Sequence, residues 1–223
     1  MGAVEAWAAL DPPWQVALDE AWTSWRTGSR GIGAAVVDGR GQIVSRGRNR
    51  LAEETTEPGV LAGSNLAHAE MNALAALPRW SYEGHELYTT REPCLMCAST
   101  CVLLRIPVVH FAALDPVFED AHDHLGRLAF CADRLPQRHG PLDGPVGAFA
   151  AVLPMLFNVT TVNWVVAVNR EHSPRVVALA EAVVADGRLA AVEDGGGGAA
   201  DALAALWGDL VAVSSASPPP ARR

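Results

Sequence analysis

The feature that most constrains this chain is a set of metal-binding side chains split between two short motifs. His68-Ala69-Glu70 and Pro93-Cys94-Leu95-Met96-Cys97 stand twenty-four residues apart, counted from Glu70 to Cys94. Each motif reads as the opening of a helix. The pattern LAHAEMNALAAL over 66–77 has helical spacing and is stopped by Pro78, while Pro93 starts a second helix carrying Cys94, Cys97 and Cys101. Two thiolates one turn apart and an imidazole from a neighbouring helix supply three corners of a tetrahedron and leave the fourth free for water, as a catalytic zinc needs. The fold must therefore bring two helix starts together.

The charges support that reading. Two thiolates and a neutral imidazole balance the two positive charges of Zn2+, so a bound water is acidified without its hydroxide being made inert. Helix N-termini favour the thiolate forms of Cys94 and Cys97. Glu70, two residues after His68, lies beside the metal rather than on it. A carboxylate there can take a proton from the water and deliver it to a ring nitrogen and then to a departing amine. A lone His, a lone CxxC or a lone Glu would each be weak. Together, in this order, H-x-E and P-C-x-x-C form the signature of zinc deaminases, with Glu70 catalytic and His68, Cys94 and Cys97 as ligands. Cys101, one turn beyond Cys97, could face the metal, though a buried inert thiol is the commoner case, and the pattern assigns no role to Cys131.

Around the motifs the pattern alternates between helix and strand. Asp11 before Pro12 reads as a helix start, with Trp14, Ala17, Leu18, Ala21, Trp22 and Trp25 on one face. Ile32 to Val37 and Ile43 to Ser45 flank Asp38-Gly39-Arg40-Gly41 as a β-hairpin, and 49–65 reads as a surface loop. Glu86 to Thr90 and Val108 to Ala112 read as further strands. Strands linked through helices predict a three-layer α/β domain with parallel pairings beyond the hairpin. Helical stretches at 146–157, 173–185 and 199–213 follow, so the expected division is a zinc-binding core at 1–116, a helical extension at 117–213 and a tail at 214–223. The tryptophans of the first helix and Phe111 read as core, whereas Trp80, Phe118 and Trp164 are candidates to meet a flat base.

Composition enters where partners are concerned. The net charge is -8, and all 17 basic residues are Arg. That balance predicts no broad electropositive face for nucleic acid. The N-terminus lacks the positive charge of a signal peptide, and the apolar run 151–168 carries Pro154 and several polar residues, which suits buried core better than a bilayer span. Three cysteines within eight residues suit a metal rather than disulfides, which predicts a cytoplasmic protein.

Five segments, Gly31 to Val37, Gly47 to Arg50, His68 to Leu74, Tyr88 to Cys97 and Val108 to Asp115, resemble the cytidine deaminase-like superfamily. The likeness lies in the branch of tRNA adenosine, guanine and bacterial nucleoside deaminases. It covers roughly residues 10 to 116 and implies the three-layer α-β-α cytidine deaminase-like fold with a five-stranded sheet, a substrate-binding role for Asn49 and Ala69, and a homodimer. In that family, His68 as first ligand points to the purine side. A tRNA-editing member would end in a short basic helix, whereas here an acidic extension of roughly a hundred residues follows Asp115. The expectation is therefore zinc-dependent hydrolysis of a small-molecule free purine nucleoside or nucleobase, of adenosine or guanine type, with no nucleic-acid partner and no membrane. A tRNA adenosine deaminase and a non-catalytic zinc-stabilised interaction protein are the alternatives.

Overall fold

A computed structural model describes residues 1–54, 57–77 and 82–215. Pro78, Trp80 and residues 216–223 of the expected tail lie outside the described residues. The N-terminal half runs α1 (Ala3–Ala8), α2 (Pro12–Arg26), β1 (Gly33–Val37), β2 (Ile43–Arg48), α3 (Ala69–Ala75), β3 (Glu86–Thr89), α4 (Leu95–Leu104) and β4 (Val108–Phe111). Beyond it come α5 (Ala121–Gly126), α6 (Ala129–Ala132), β5 (Gln137–His139), α7 (Gly144–Thr161), α8 (Asn163–His172), α9 (Pro174–Asp186), α10 (Arg188–Asp194), α11 (Ala199–Ala205) and α12 (Trp207–Ser214).

The five strands lie in the order β2-β1-β3-β4-β5. β1 pairs antiparallel with both β2 and β3, and β3–β4 and β4–β5 are parallel. The parallel pairings expected beyond the hairpin are present at β3–β4 and β4–β5, while β3 meets the hairpin itself antiparallel, through β1. The crossover through α3 does join two strands of the same direction, β2 and β3, but β1 lies between them and opposes both. The sheet also crosses the expected division at residue 116, because its fifth strand comes from 137–139.

Alternation along β1 separates the two faces. Ala34 and Val36 join Ala69, Ala73, Leu74, Leu87, Cys101 and Val109 in a core under α3 and α4. On the other side Trp14, Leu18 and Trp22 of α2 share one larger core with Phe149, Leu153 and Leu156 of α7 and with Val177, Leu203 and Leu210 of the helices that follow. The helical extension is therefore continuous with the N-terminal helices. The apolar helix α7 is long enough to cross a bilayer, yet its buried face belongs to this core, as its sequence led us to expect. Trp22 donates from Nε1 to the Gly197 carbonyl at 2.9 Å, so that tryptophan serves packing. Close approach of α3 to the sheet requires Gly47: a Cβ there would stand 2.4 Å from the Ala73 nitrogen and 2.5 Å from the Ala69 carbonyl oxygen.

Candidate metal centre and its cleft

Both motifs sit at helix starts, but the helices begin later than the patterns suggest, at Ala69 and at Leu95. His68 has extended backbone at the N-cap of α3, and Cys94 does the same for α4. Each helix begins after its first ligand, so the ligand side chain is free to turn toward the neighbouring helix. Asn72 then locks the approach. Its Nδ2 donates to the carbonyls of Arg48 and Leu61, and its Oδ1 accepts from the Leu61 nitrogen, which fastens the loop before His68 onto the helix after it. Glu92 does the same for the second motif. Its Oε2 accepts from the Asp115 nitrogen at 2.9 Å, and its Oε1 accepts from Arg138 of β5.

His68 Nδ1 lies 3.5 Å from Cys94 Sγ and 3.5 Å from Cys97 Sγ, and the two sulfurs are 3.7 Å apart. Tetrahedral zinc with Zn–S near 2.3 Å and Zn–N near 2.0–2.1 Å requires donor separations of about 3.8 Å between sulfurs and about 3.5 Å between sulfur and nitrogen. The donor set fits that ion. Among the described residues this is the one group of three or more His, Cys, Asp or Glu side chains placed to hold a metal. Cys101 is not part of it. It is buried in the α3–α4 core with its thiol pushed up by burial, an inert packing group.

The thiols divide their roles electrostatically. The hydrogen bond with Cys97 and the contact with His68 outweigh burial and draw Cys94 down to about 4, while the bond with Cys94 and burial push Cys97 well above the usual thiol range. Burial pulls His68 down, but the bond with Cys94 and the charge of Glu70 outweigh it and leave the imidazole raised. Glu70 is 3% exposed, and burial lifts its carboxyl to about 7 against the opposing pull of His68.

Beside His68 opens a cleft of about 360 Å³. One wall comes from Arg30, Ile32, Asn65, Arg91 and Asp115, and the other from Pro154 and Asn158 of α7 with Trp164 and Val165 of α8. Phe118 also lines it. Asn49 and Ala69, the expected substrate-binding positions, are both buried. Asn49 Oδ1 accepts from the Leu51 nitrogen at 3.1 Å, and its own carbonyl accepts from the Ser24 hydroxyl. The sequence reading missed Arg30, Arg91, Asp115 and Asn158 as cleft residues. Arg91 could have been noticed two residues before the second motif; nothing local marks the others.

Residues 13–113 match the family described as the cytidine and deoxycytidylate deaminase zinc-binding region. They belong to the cytidine deaminase-like superfamily. The chain is 42% identical over 105 residues to the tRNA-specific adenosine deaminase of Aquifex aeolicus (strain VF5), a match covering 45% of this chain and 64% of the relative. It is 40% identical over 104 residues to the tRNA-specific adenosine deaminase of Bacillus subtilis (strain 168), covering 45% of this chain and 59% of the relative. The chain thus spans about three-fifths of the length of these relatives. A solved structure from work on A-to-I editing by tRNA:A34 deaminases shares 28% identity at a TM-score of 0.48, covering 57% of this chain and 95% of that one.

These relatives overturn two expectations, that of a free purine nucleoside or nucleobase as substrate and that of no nucleic-acid partner. The error lay in averaging charge over the whole chain. Residues 13–113 hold nine arginines against ten acidic residues, so that nearly all of the net -8 belongs to the rest. A net charge says little about the field over one segment when most of the excess of acid over Arg lies elsewhere.

Proposed function

We propose that the chain is a zinc-dependent hydrolytic deaminase acting on adenosine within tRNA. The carrying observation is the identity of 42% and 40% to two tRNA-specific adenosine deaminases, joined here to a donor triangle of zinc dimensions beside a cleft. Zinc in such a site supplies a Lewis acid that lowers the pKa of water toward neutrality. His68, Cys94 and Cys97 would hold it. Glu70, buried against Cys97, would accept the proton of the attacking water, pass it to N1 of adenine and assist the departing amine at C6. Water adds and ammonia leaves, so adenosine becomes inosine with no redox partner.

An adenosine in a folded RNA must leave its stack to reach such a site, and a cleft edged by Phe118 and Trp164 suits an extruded base. Asn49 and Ala69 remain our candidates for holding it. Four unpaired cysteines accord with a reducing compartment. The deciding experiment incubates zinc-loaded protein with tRNA transcripts and, in parallel, with free adenosine and guanine. Inosine in tRNA with ammonia release supports the reading, and turnover confined to the free compounds refutes it.

A further inference from the structure

Among the described residues three buried side-chain atoms have no hydrogen-bond partner: Arg30 Nε, His85 Nδ1 and Asn158 Oδ1. Two of the three, Arg30 and Asn158, line the one cleft beside His68. Leaving a buried polar atom unpaired is costly, so such groups in a native fold call for a reason. Asn158 is 5% exposed and is the one polar side chain among the buried residues of α7, whose others are apolar, Gly or Pro. An apolar residue of the same size would serve the helix better there.

Arg30 also reaches toward the turn of α7 that carries Asn158. The Arg30 guanidinium lies 5.9 Å over the ring of Phe157, the residue before Asn158. Their needs are also complementary: Arg30 has an N–H to give, and the Asn158 oxygen needs a donor. A purine nucleoside offers both, since its ring nitrogens accept while its exocyclic amine and ribose hydroxyls donate. We infer that Asn158, with Arg30 lining the same cleft, is a specificity-determining residue that hydrogen-bonds the nucleoside held there. Taking that nucleoside to be an adenosine of tRNA rests on the function proposed above. Asn158 lies outside the family match at 13–113, so this recognition would be supplied by the helical extension.

The test compares N158L and N158A with the unaltered, zinc-loaded full chain. Loss of a hydrogen bond that leaves a buried partner unpaired should raise KM for a tRNA transcript roughly tenfold, with a smaller change in kcat and no change in zinc content. N158L should melt at or above the unaltered protein, because it removes an unpaired buried oxygen without opening a cavity. Unchanged KM in both variants overturns the inference, and so does an N158L protein that melts lower, since the amide would then serve the fold. If the unaltered protein ignores tRNA, the tRNA reading fails by itself. The same variants are then titrated with adenosine and guanosine, where weaker binding upholds the inference and unchanged binding overturns it. A protein that binds none of these overturns both.

Discussion

On the α3–α4 side of the cleft, three donor atoms from two helix starts stand within 3.7 Å of one another, and the loops that carry them are held by Asn72 and Glu92. On the α7–α8 side, Asn158 leaves an oxygen unpaired and Trp164 is 60% exposed. The first side has its donors set at zinc dimensions by the protein's own contacts. The second is complete only with something in the cleft. Chemistry that is the same for every turnover can be built into one wall, while recognition has to remain unsatisfied until its ligand arrives.

The largest effects should come from the metal-binding wall. Cys94→Ala or Cys97→Ala should take the zinc content from about one per chain to near zero and abolish turnover, because two donors are too few to keep the ion. Elemental analysis decides it, and full zinc in either variant would break the comparison at its base. Next in size is Glu70→Ala. It should keep its zinc and melting temperature yet lose on the order of 10²- to 10⁴-fold in turnover, at the upper end if one carboxyl serves several proton transfers. Zinc loss in that variant would make Glu70 a ligand and move it to a different role.

Smaller effects sharpen the boundary between the walls. Asn49→Ala should slow turnover by up to about 10²-fold through misplacement of the substrate. Part of that loss would be structural, since its Oδ1 holds the Leu51 nitrogen. Unchanged kinetics would strike it from the binding set. Arg91 ties the sheet to α8 by donating to Asn169 Oδ1 at 3.0 Å, beside Asp115 at 3.4 Å. Asn169→Ala should therefore cost about 2 kcal/mol of stability, the range for a lost bond to a charged group, with zinc content unchanged. Denaturant unfolding measures it. A loss confined to activity would mean that this tie positions Trp164 rather than supporting the fold.

The metal triangle was legible because its information is local. His68 and Glu70 are two residues apart, Cys94 and Cys97 one turn apart, and each pair needs only a helix start to point the right way. The hairpin, α2 and the strands at 86–89 and 108–111 were legible for the same reason, since their periodicities survive within short windows. β5 was not. Three residues, Gln137–His139, in a polar stretch carry no period, and only the edge of β4 makes them a strand.

Net charge misled for a related reason: as a sum, it discards position, and substrate choice depends on position. By itself the sequence determined which atoms could hold zinc and which carboxyl stands beside them, because short-range geometry follows from helix spacing. Only the tertiary structure decided that Arg30 and Asn158, more than a hundred residues apart, face one cleft, and that the helical extension closes it. That decision came from burial of the apolar face of α7 against α2, a long-range packing choice that no local pattern encodes.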